Sequence, residues 1–495
     1  MFDEPVTRSP MSRGPIGWSA IAAAAAILAF QILVPPAIGL ADNGDFAKIT
    51  GRFNLYPAVD ELRDSAFRYI NLRYDFLSDS HIDTGFRSPE TLLIRAALLL
   101  NRVVSRAGVF DLRAMGVVHA ALFLLALALL TDLLGAERAG LRLALLALAV
   151  FVFCDVAFSA YYNSFYLDAG AFLFLMLSIV TVLRAVVRRR PADMCLALFC
   201  CLLLVTSKSQ HALLAVPLAV FFVWERRTLW PRHALLGSVL ATVLLVGGGA
   251  LGLVEGSPPG YTGPCLFNIV FARLLPTAED PPAELASLGL DESYLRYKDM
   301  DAFTDTSPMR DRRWVRSFLS RTSLLRLGVF YVTHPGRALC VAELALGEAA
   351  VGRPPGIGNY DRSAGRPPYA QSGAFSIWST ARSKLLGGSL WAYPLIFGIS
   401  VGVIVWRFPA GGVALCLMGL IEFALGAMTD AREVTRHLFL ANTIWDVTLF
   451  AAVSTLAVAL HGRLREPYEP NESGRFAPEA PSPVTEASSR TVSRV

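Results

Sequence analysis

From residue 16 to residue 40 the chain runs without a single Asp, Glu, Lys or Arg. About 20 apolar residues at a helical rise of about 1.5 Å cross a hydrocarbon core of about 30 Å. Inside lipid the backbone must satisfy its own hydrogen bonds, which leaves a helix as the natural form of such a run. The run is not unique. A window of that size finds further candidates at 112–134, 139–159, 168–187, 192–207, 210–224, 234–254, 385–406, 410–428 and 438–461. The expected fold is therefore an all-α polytopic membrane protein with about ten transmembrane helices and two long extracytoplasmic segments, 41–111 and 255–384. The composition agrees: 54% of residues are hydrophobic and 17% charged, where soluble chains carry about a quarter charged. That balance excludes a set of soluble domains, a disordered chain and a small disulfide-stapled module.

The fifth and sixth runs are short and read as a tight helical hairpin broken at Thr206–Gln210. The stretch 324–350 is interrupted by Arg326, His334-Pro335 and Arg337, which makes it a pair of interfacial helices instead of a span. Orientation follows from the basic residues of the short connections, since Lys and Arg near span ends stay cytoplasmic. Arg138 and Arg142, Arg188 to Arg190, Arg226, Arg227 and Arg232, and Arg407 fall in alternate connections, with Arg8, Arg13, Arg463 and Arg465 at the two ends. Both termini are expected in the cytoplasm: residues 1–15 as a short lead, 16–462 as the membrane domain with a signal anchor, and 463–495 as a disordered tail rich in Pro, Glu, Ser and Thr. Asn471-Glu472-Ser473 matches a glycosylation sequon by chance on this topology.

The seven cysteines show no metal spacing. Cys154, Cys195, Cys200, Cys201 and Cys416 fall in spans, whereas Cys265 and Cys340 share the second outer segment and are free to pair or not. No Walker motif or glycine-rich nucleotide loop is present, which excludes a nucleotide-driven pump. The formal net charge of +5 gives no reason to expect nucleic acid.

Polar residues gather at one set of span ends. Asp42-Asn43-Gly44-Asp45 follows the first span, Tyr161 to Asp168 precedes the fourth, Thr206 to His211 breaks the hairpin, and Asp430 to His437 precedes the last. Ionisable groups beside hydrocarbon are costly and usually functional. Asp168 either caps the fourth span or contacts a ligand. Capping needs only one of Asp42 and Asp45, so the pair points to a site. Lys208 and Arg436 either reach for headgroups or bind a phosphate, and Lys208 runs against the positive-inside trend. His211 reads as a satisfied polar residue, and no histidine–carboxylate cage suggests a metal.

This arrangement suits transfer of a sugar carried on a lipid phosphate. A carboxylate at the membrane surface takes the proton of an attacking hydroxyl and faces the positive charge that develops on the ring. Lys and Arg stabilise the departing phosphate. Asn43-Gly44-Asp45-Phe46, Tyr162-Asn163-Ser164-Phe165-Tyr166, Tyr331-Val332-Thr333-His334-Pro335 and Arg436-His437-Leu438-Phe439, in that order, resemble the GT-C superfamily of polytopic glycosyltransferases. Within it they are most similar to the bacterial glycan-biosynthesis hexose transferases of the WsfD-like group. The resemblance covers residues 16–460. It implies Asp45, with Asp42 beside it, as the catalytic acid–base, and Asn163, Tyr166 and Asp168 as sugar or acceptor contacts. Asp168 stands where the family pattern would have a glutamate. The superfamily includes members that need a divalent metal and members that do not, so no cofactor is assigned.

The function expected is inverting transfer of a hexose from a polyprenyl-phosphate donor to a glycan or lipid-linked acceptor at the outer face of a bacterial plasma membrane, with Lys208, Arg436 and His437 binding substrate. The alternatives are a transporter or flippase of lipid-linked oligosaccharide, which would place polar groups near the midplane, and a glycan ligase. Trp314, Trp378 and Trp391 serve either as interface anchors or as sugar-stacking platforms.

Overall fold

The computed structural model describes residues 14–57, 65–77, 86–105, 108–258 and 260–463. The N-terminal lead with Arg8 and Arg13, the tail from 464 and the Asn471 sequon lie outside these. Each of the ten apolar runs contains a helix, and the protein is a polytopic all-α membrane protein. Six helices are long and apolar enough to cross a bilayer unaided among the described residues. These are α1 (Gly14–Leu33), α3 (Arg113–Leu133), α5 (Leu167–Arg188), α8 (Ala234–Glu255), α15 (Pro409–Met428) and α17 (Phe439–Arg463). Three shorter apolar helices are α4 (Ala139–Phe153), α6 (Pro191–Val205) and α7 (Ala215–Trp224). The hairpin of α6 and α7 breaks at the expected place, with a 3-10 turn over Ser209–Leu214.

Three run boundaries differ from expectation. The run at 16–40 is helical only to Leu33, ahead of Pro35-Pro36, which cannot continue it. The run at 385–406 is not one helix: α13 (Ile377–Gly387) and α14 (Ala392–Arg407) meet at 111°. Gly387-Gly388 sits at the bend, where glycine pays the most backbone entropy in a helix. The run at 139–159 stops at Phe153 because Asp155 caps a new short helix, its carboxylate accepting from the Ala157 N–H at 2.9 Å.

The first outer segment holds α2 (Glu90–Val104) and a small antiparallel sheet that the reading of the sequence did not foresee. Its strands are β1 (Leu55–Pro57), β2 (Arg73–Phe76) and β3 (Val109–Asp111), in the order β1-β2-β3. The register pairs Tyr74 with Phe110, and both rings pack on Phe165. The second outer segment contains α9 (Thr262–Asn268), α10 (Arg312–Arg321), α11 (Leu324–Thr333) and α12 (Pro335–Val351). Its own core gathers Phe267, Phe271, Tyr294 and Phe318. The break at His334-Pro335 falls where proline forbids continuation. Cys265 and Cys340 are not joined: all seven cysteines are free thiols.

The central helix is α5. Two thirds of its most apolar window is buried inside the protein, against 22–39% for the other five long helices. It packs on α3 and α6 and touches α17. Whatever stands in its first turn is thereby carried to the middle of the bundle end.

Candidate functional site

The four polar turns converge on one cavity of about 300 Å³, at the lower end of the range for small-ligand sites. Asp45, Tyr166, Asp168, Lys208, Arg436 and His437 all line it. Asp42 and Asn163 do not line it.

The first turn explains the division between its two acids. Asp42 Oδ1 accepts from the backbone N–H of Gly44 at 2.7 Å and of Phe46 at 3.2 Å, while Gly44 adopts φ of +99°, a conformation open to glycine at little cost. Asp42 shapes the turn and, unlike Asp45, does not line the cavity. Burial raises its pKa against those backbone hydrogen bonds. Phe46 packs edge-on against Phe165 and Tyr166, which turns Asp45 toward the cavity. Tyr166 closes the same loop: its hydroxyl donates to Ala41 O at 2.8 Å and accepts from Asn43 N–H at 3.1 Å.

Asn163 is fully buried. Its amide donates to the carbonyls of Ile32 at 2.9 Å and Ile38 at 2.8 Å, two groups left open where α1 ends. A Cβ on Gly116 would meet its Oδ1 at 2.2 Å. Asn163 thus ties the end of α1 and the segment after it to the turn before α5, with both its donors in use and its Oδ1 without a hydrogen-bond partner.

Arg436 is the centre of the cluster. It belongs to the short helix α16 (Val434–His437) and is 5% exposed. Its guanidinium reaches Asp45 Oδ2 from Nη2 at 2.8 Å, Glu433 Oε2 from Nε at 2.8 Å and Asp168 Oδ2 from Nη1 at 3.4 Å. It also lies over the Tyr166 ring, 4.8 Å from the centroid. Asp168 stands in the first turn of α5, yet its side chain faces cations: Lys208 Nζ is 3.3 Å from its other oxygen. Lys48 Nζ lies 2.5 Å from Asp45 Oδ1 and 4.5 Å from the centre of the Tyr261 ring. Glu433 has φ of +49°, uncommon for a residue with a side chain, and Asn43 donates to it at 2.6 Å.

Burial pushes against every charge in this network, and the opposite charges decide the outcome. For Asp45, burial raises the pKa, but Arg436 and Lys48 outweigh it and hold the carboxyl well below the usual carboxylate range. For Arg436, burial lowers the pKa, and Asp45, Glu433 and Asp168 carry it well above the ordinary arginine value. His437 is pushed well below the usual histidine value, first by burial and then by Lys208 and Arg436.

Lys48, Tyr261, Glu433 and Asp430 were not among the expected site residues. Lys48 sits three residues after Asp45 and Glu433 three before Arg436, helical spacings that bring side chains together. His211 is buried with Nδ1 2.9 Å from Glu422 Oε1, while its buried Nε2 has no hydrogen-bond partner, so it is only half the satisfied polar residue expected. None of Trp314, Trp378 and Trp391 lines the cavity. Among the described residues no group of three or more His, Cys, Asp or Glu is placed to hold a metal.

One wall of the cavity is apolar. Leu213, Leu253, Leu324 and Leu425 line it, and the first three are 39%, 52% and 41% exposed. Charged groups thus face a lip of surface leucines across one space. No curated protein matches the chain. A family model described as the YfdI N-terminal transmembrane domain matches residues 11–473, nearly the whole of this multi-pass membrane protein, and the chain belongs to that family.

Proposed function

We propose that the protein is an inverting glycosyltransferase of the GT-C type that moves a hexose from a polyprenyl-phosphate donor to a glycan or lipid-linked acceptor. Its cavity opens on the extracytoplasmic face of a bacterial plasma membrane, and both termini are cytoplasmic, as the basic connections indicate. Membership in the YfdI transmembrane-domain family supports a membrane-glycan role. The observation that carries the reading is the two-sided cavity: Lys48, Lys208 and Arg436 at one part, exposed leucines at another. A lipid phosphate needs both, cations for its head and apolar surface for its chain. The exposed stripe Leu325, Val329 and Val332 on α11 continues the apolar surface beyond Leu324.

In the proposed reaction an acceptor oxygen attacks the anomeric carbon and loses its proton to a base. The bond from that carbon to the phosphate oxygen breaks, and its electron pair leaves with the polyprenyl phosphate. Lys48, Lys208 and Arg436 stabilise the departing charge. Asp45, Asp168 and Glu433 hold these cations in position when no donor is bound, and Asp45 faces the positive charge on the ring. The base role expected of Asp45 fits poorly with two cations on its carboxylate, which reduce its affinity for a proton. No step requires a metal held by these residues.

The test is the purified protein in proteoliposomes with a panel of radiolabelled polyprenyl-phosphate hexoses and a crude membrane extract as acceptor, beside Asp45→Asn. Label should move onto an acceptor in the wild type and fail to do so in the variant. Intact donor crossing the bilayer without a new glycosidic product would replace this reading with a flippase. Transfer of a whole oligosaccharide would replace it with a ligase.

A further inference from the structure

An inverting transfer sets a geometric demand that the cation-bound acids do not meet. The attacking oxygen and the departing phosphate lie on opposite faces of the sugar, so the proton acceptor stands apart from the groups that hold the phosphate. Asp45 and Asp168 are bonded to those very groups, Asp45 to Lys48 and Arg436, Asp168 to Lys208 and Arg436. Glu433 is bonded to Arg436 as well.

Besides Asp45 and Asp168, a third carboxylate lines the same cavity. Asp430, in the turn after α15, is 7% exposed. Its Oδ1 accepts from Asn268 Nδ2 at 3.2 Å and from the backbone N–H groups of Ala431 at 2.7 Å and Arg432 at 3.0 Å. Asn268 is itself fixed, since its Oδ1 accepts from Ala302 N–H at 2.9 Å. These bonds orient the carboxylate and occupy one of its oxygens. The nearest basic side-chain atom to the other oxygen is His437 Nε2 at 3.9 Å, on an imidazole whose protonation is disfavoured by burial and by Lys208 and Arg436. Among the described residues no Lys or Arg side chain lies within ion-pair distance of Asp430, and the adjacent Arg432 is drawn to Asp301. Burial raises the proton affinity of Asp430, in the direction a base requires.

We propose that Asp430 is the catalytic residue that takes the proton from the acceptor hydroxyl, while Asp45 positions the cations that receive the phosphate. The inference rests on the glycosyltransferase reading. The hydroxyl proton passes to Asp430 Oδ2 as the new carbon–oxygen bond forms, and the phosphate leaves with the pair of the old one.

An acceptor without a proton separates the two roles. Azide attacks the anomeric carbon through nitrogen, displaces the polyprenyl phosphate and needs no base. In proteoliposomes with a radiolabelled polyprenyl-phosphate hexose, Asp430→Asn should lose transfer to the membrane-extract acceptor by about 10²–10⁴-fold. The same variant should still form glycosyl azide within a few-fold of wild type. Asp430→Glu, which restores a carboxylate, should recover part of the hydroxyl transfer. Asp45→Asn should lose both products. Undiminished hydroxyl transfer in Asp430→Asn overturns the assignment, and so does loss of both products in both Asp430 variants. A wild type that forms neither product overturns the glycosyltransferase reading and this inference with it.

Discussion

Among the arginines the protein buries on carboxylates, Arg382 and Arg436 differ in what surrounds them. Arg382 on α13 and Asp446 on α17 are 4% and 2% exposed, 3.4 Å apart, beside a space of about 10 Å³. That is at the lower limit for one water. A Cβ on Gly352 would meet the Arg382 guanidinium at 2.4 Å, so even the backbone is packed against the pair. Arg436 is as buried, yet it and two of its carboxylates, Asp45 and Asp168, wall a cavity thirty times larger that partly exposed leucines also line. Both arrangements overcome a desolvation cost of several kcal/mol per ion. The sealed one ties the bend of α13 to the last span. The open one keeps positive charge beside room for a ligand, and that difference separates a structural ion pair from a binding site.

Replacing each arginine in turn puts the contrast at greatest risk. Arg436→Met should reduce transfer by about 10²–10³-fold or more. It leaves Asp45, Asp168 and Glu433 without their common cation, and should also cost about 3–5 kcal/mol of stability. Arg382→Met should cost a similar about 3–5 kcal/mol, read as a lower unfolding temperature in detergent, while transfer per folded molecule stays at the wild-type level. Equal losses of transfer in the two variants would erase the distinction.

Lys208 sharpens it. This lysine has one carboxylate partner and is 15% exposed, so Lys208→Met should raise the donor KM about tenfold with kcat changed less. A fall in kcat alone would move Lys208 from binding to chemistry. The smallest effect concerns acid. The folded-state pKa of Asp45 is depressed, so its contribution to stability is complete above the unfolded value of about 3.9. It is lost as pH falls through the folded value. Below about pH 4 the wild type should therefore lose more stability than Asp45→Asn, and identical acid limbs would show that the ion pairs contribute nothing measurable.

Much of the membrane plan is legible in the residues because lipid imposes a simple rule on length and polarity. Every apolar run yielded a helix. The errors lie where local chemistry overrules apolarity, at Pro35-Pro36, at Gly387-Gly388 and at the Asp155 cap. The three strands of the first outer segment, three or four residues each, are too short for alternation to register. Of the expected site residues, Asp45, Tyr166, Asp168, Lys208, Arg436 and His437 share the cavity, because four turns at one bundle end have little room to avoid one another. Asn163 does not, because two open carbonyls at the end of α1 hold its amide. Nothing in its neighbours along the chain announces those carbonyls, which lie more than 120 residues away.

Apolarity, read along the chain, was enough for where the apolar helices fall and for the end of the bundle where charge collects, since both follow from local composition in a solvent that tolerates no stray polar group. Which acid pairs with which cation was settled by packing. Arg436 and Asp168 are 268 residues apart and Asn43 and Glu433 are 390 apart, and their contact depends on α5 occupying the middle of the bundle. The separation of the cation-bound Asp45 from the cation-free Asp430 has the same origin. Charge pairing is a property of distance in space, and distances between remote segments exist only once the helices have packed.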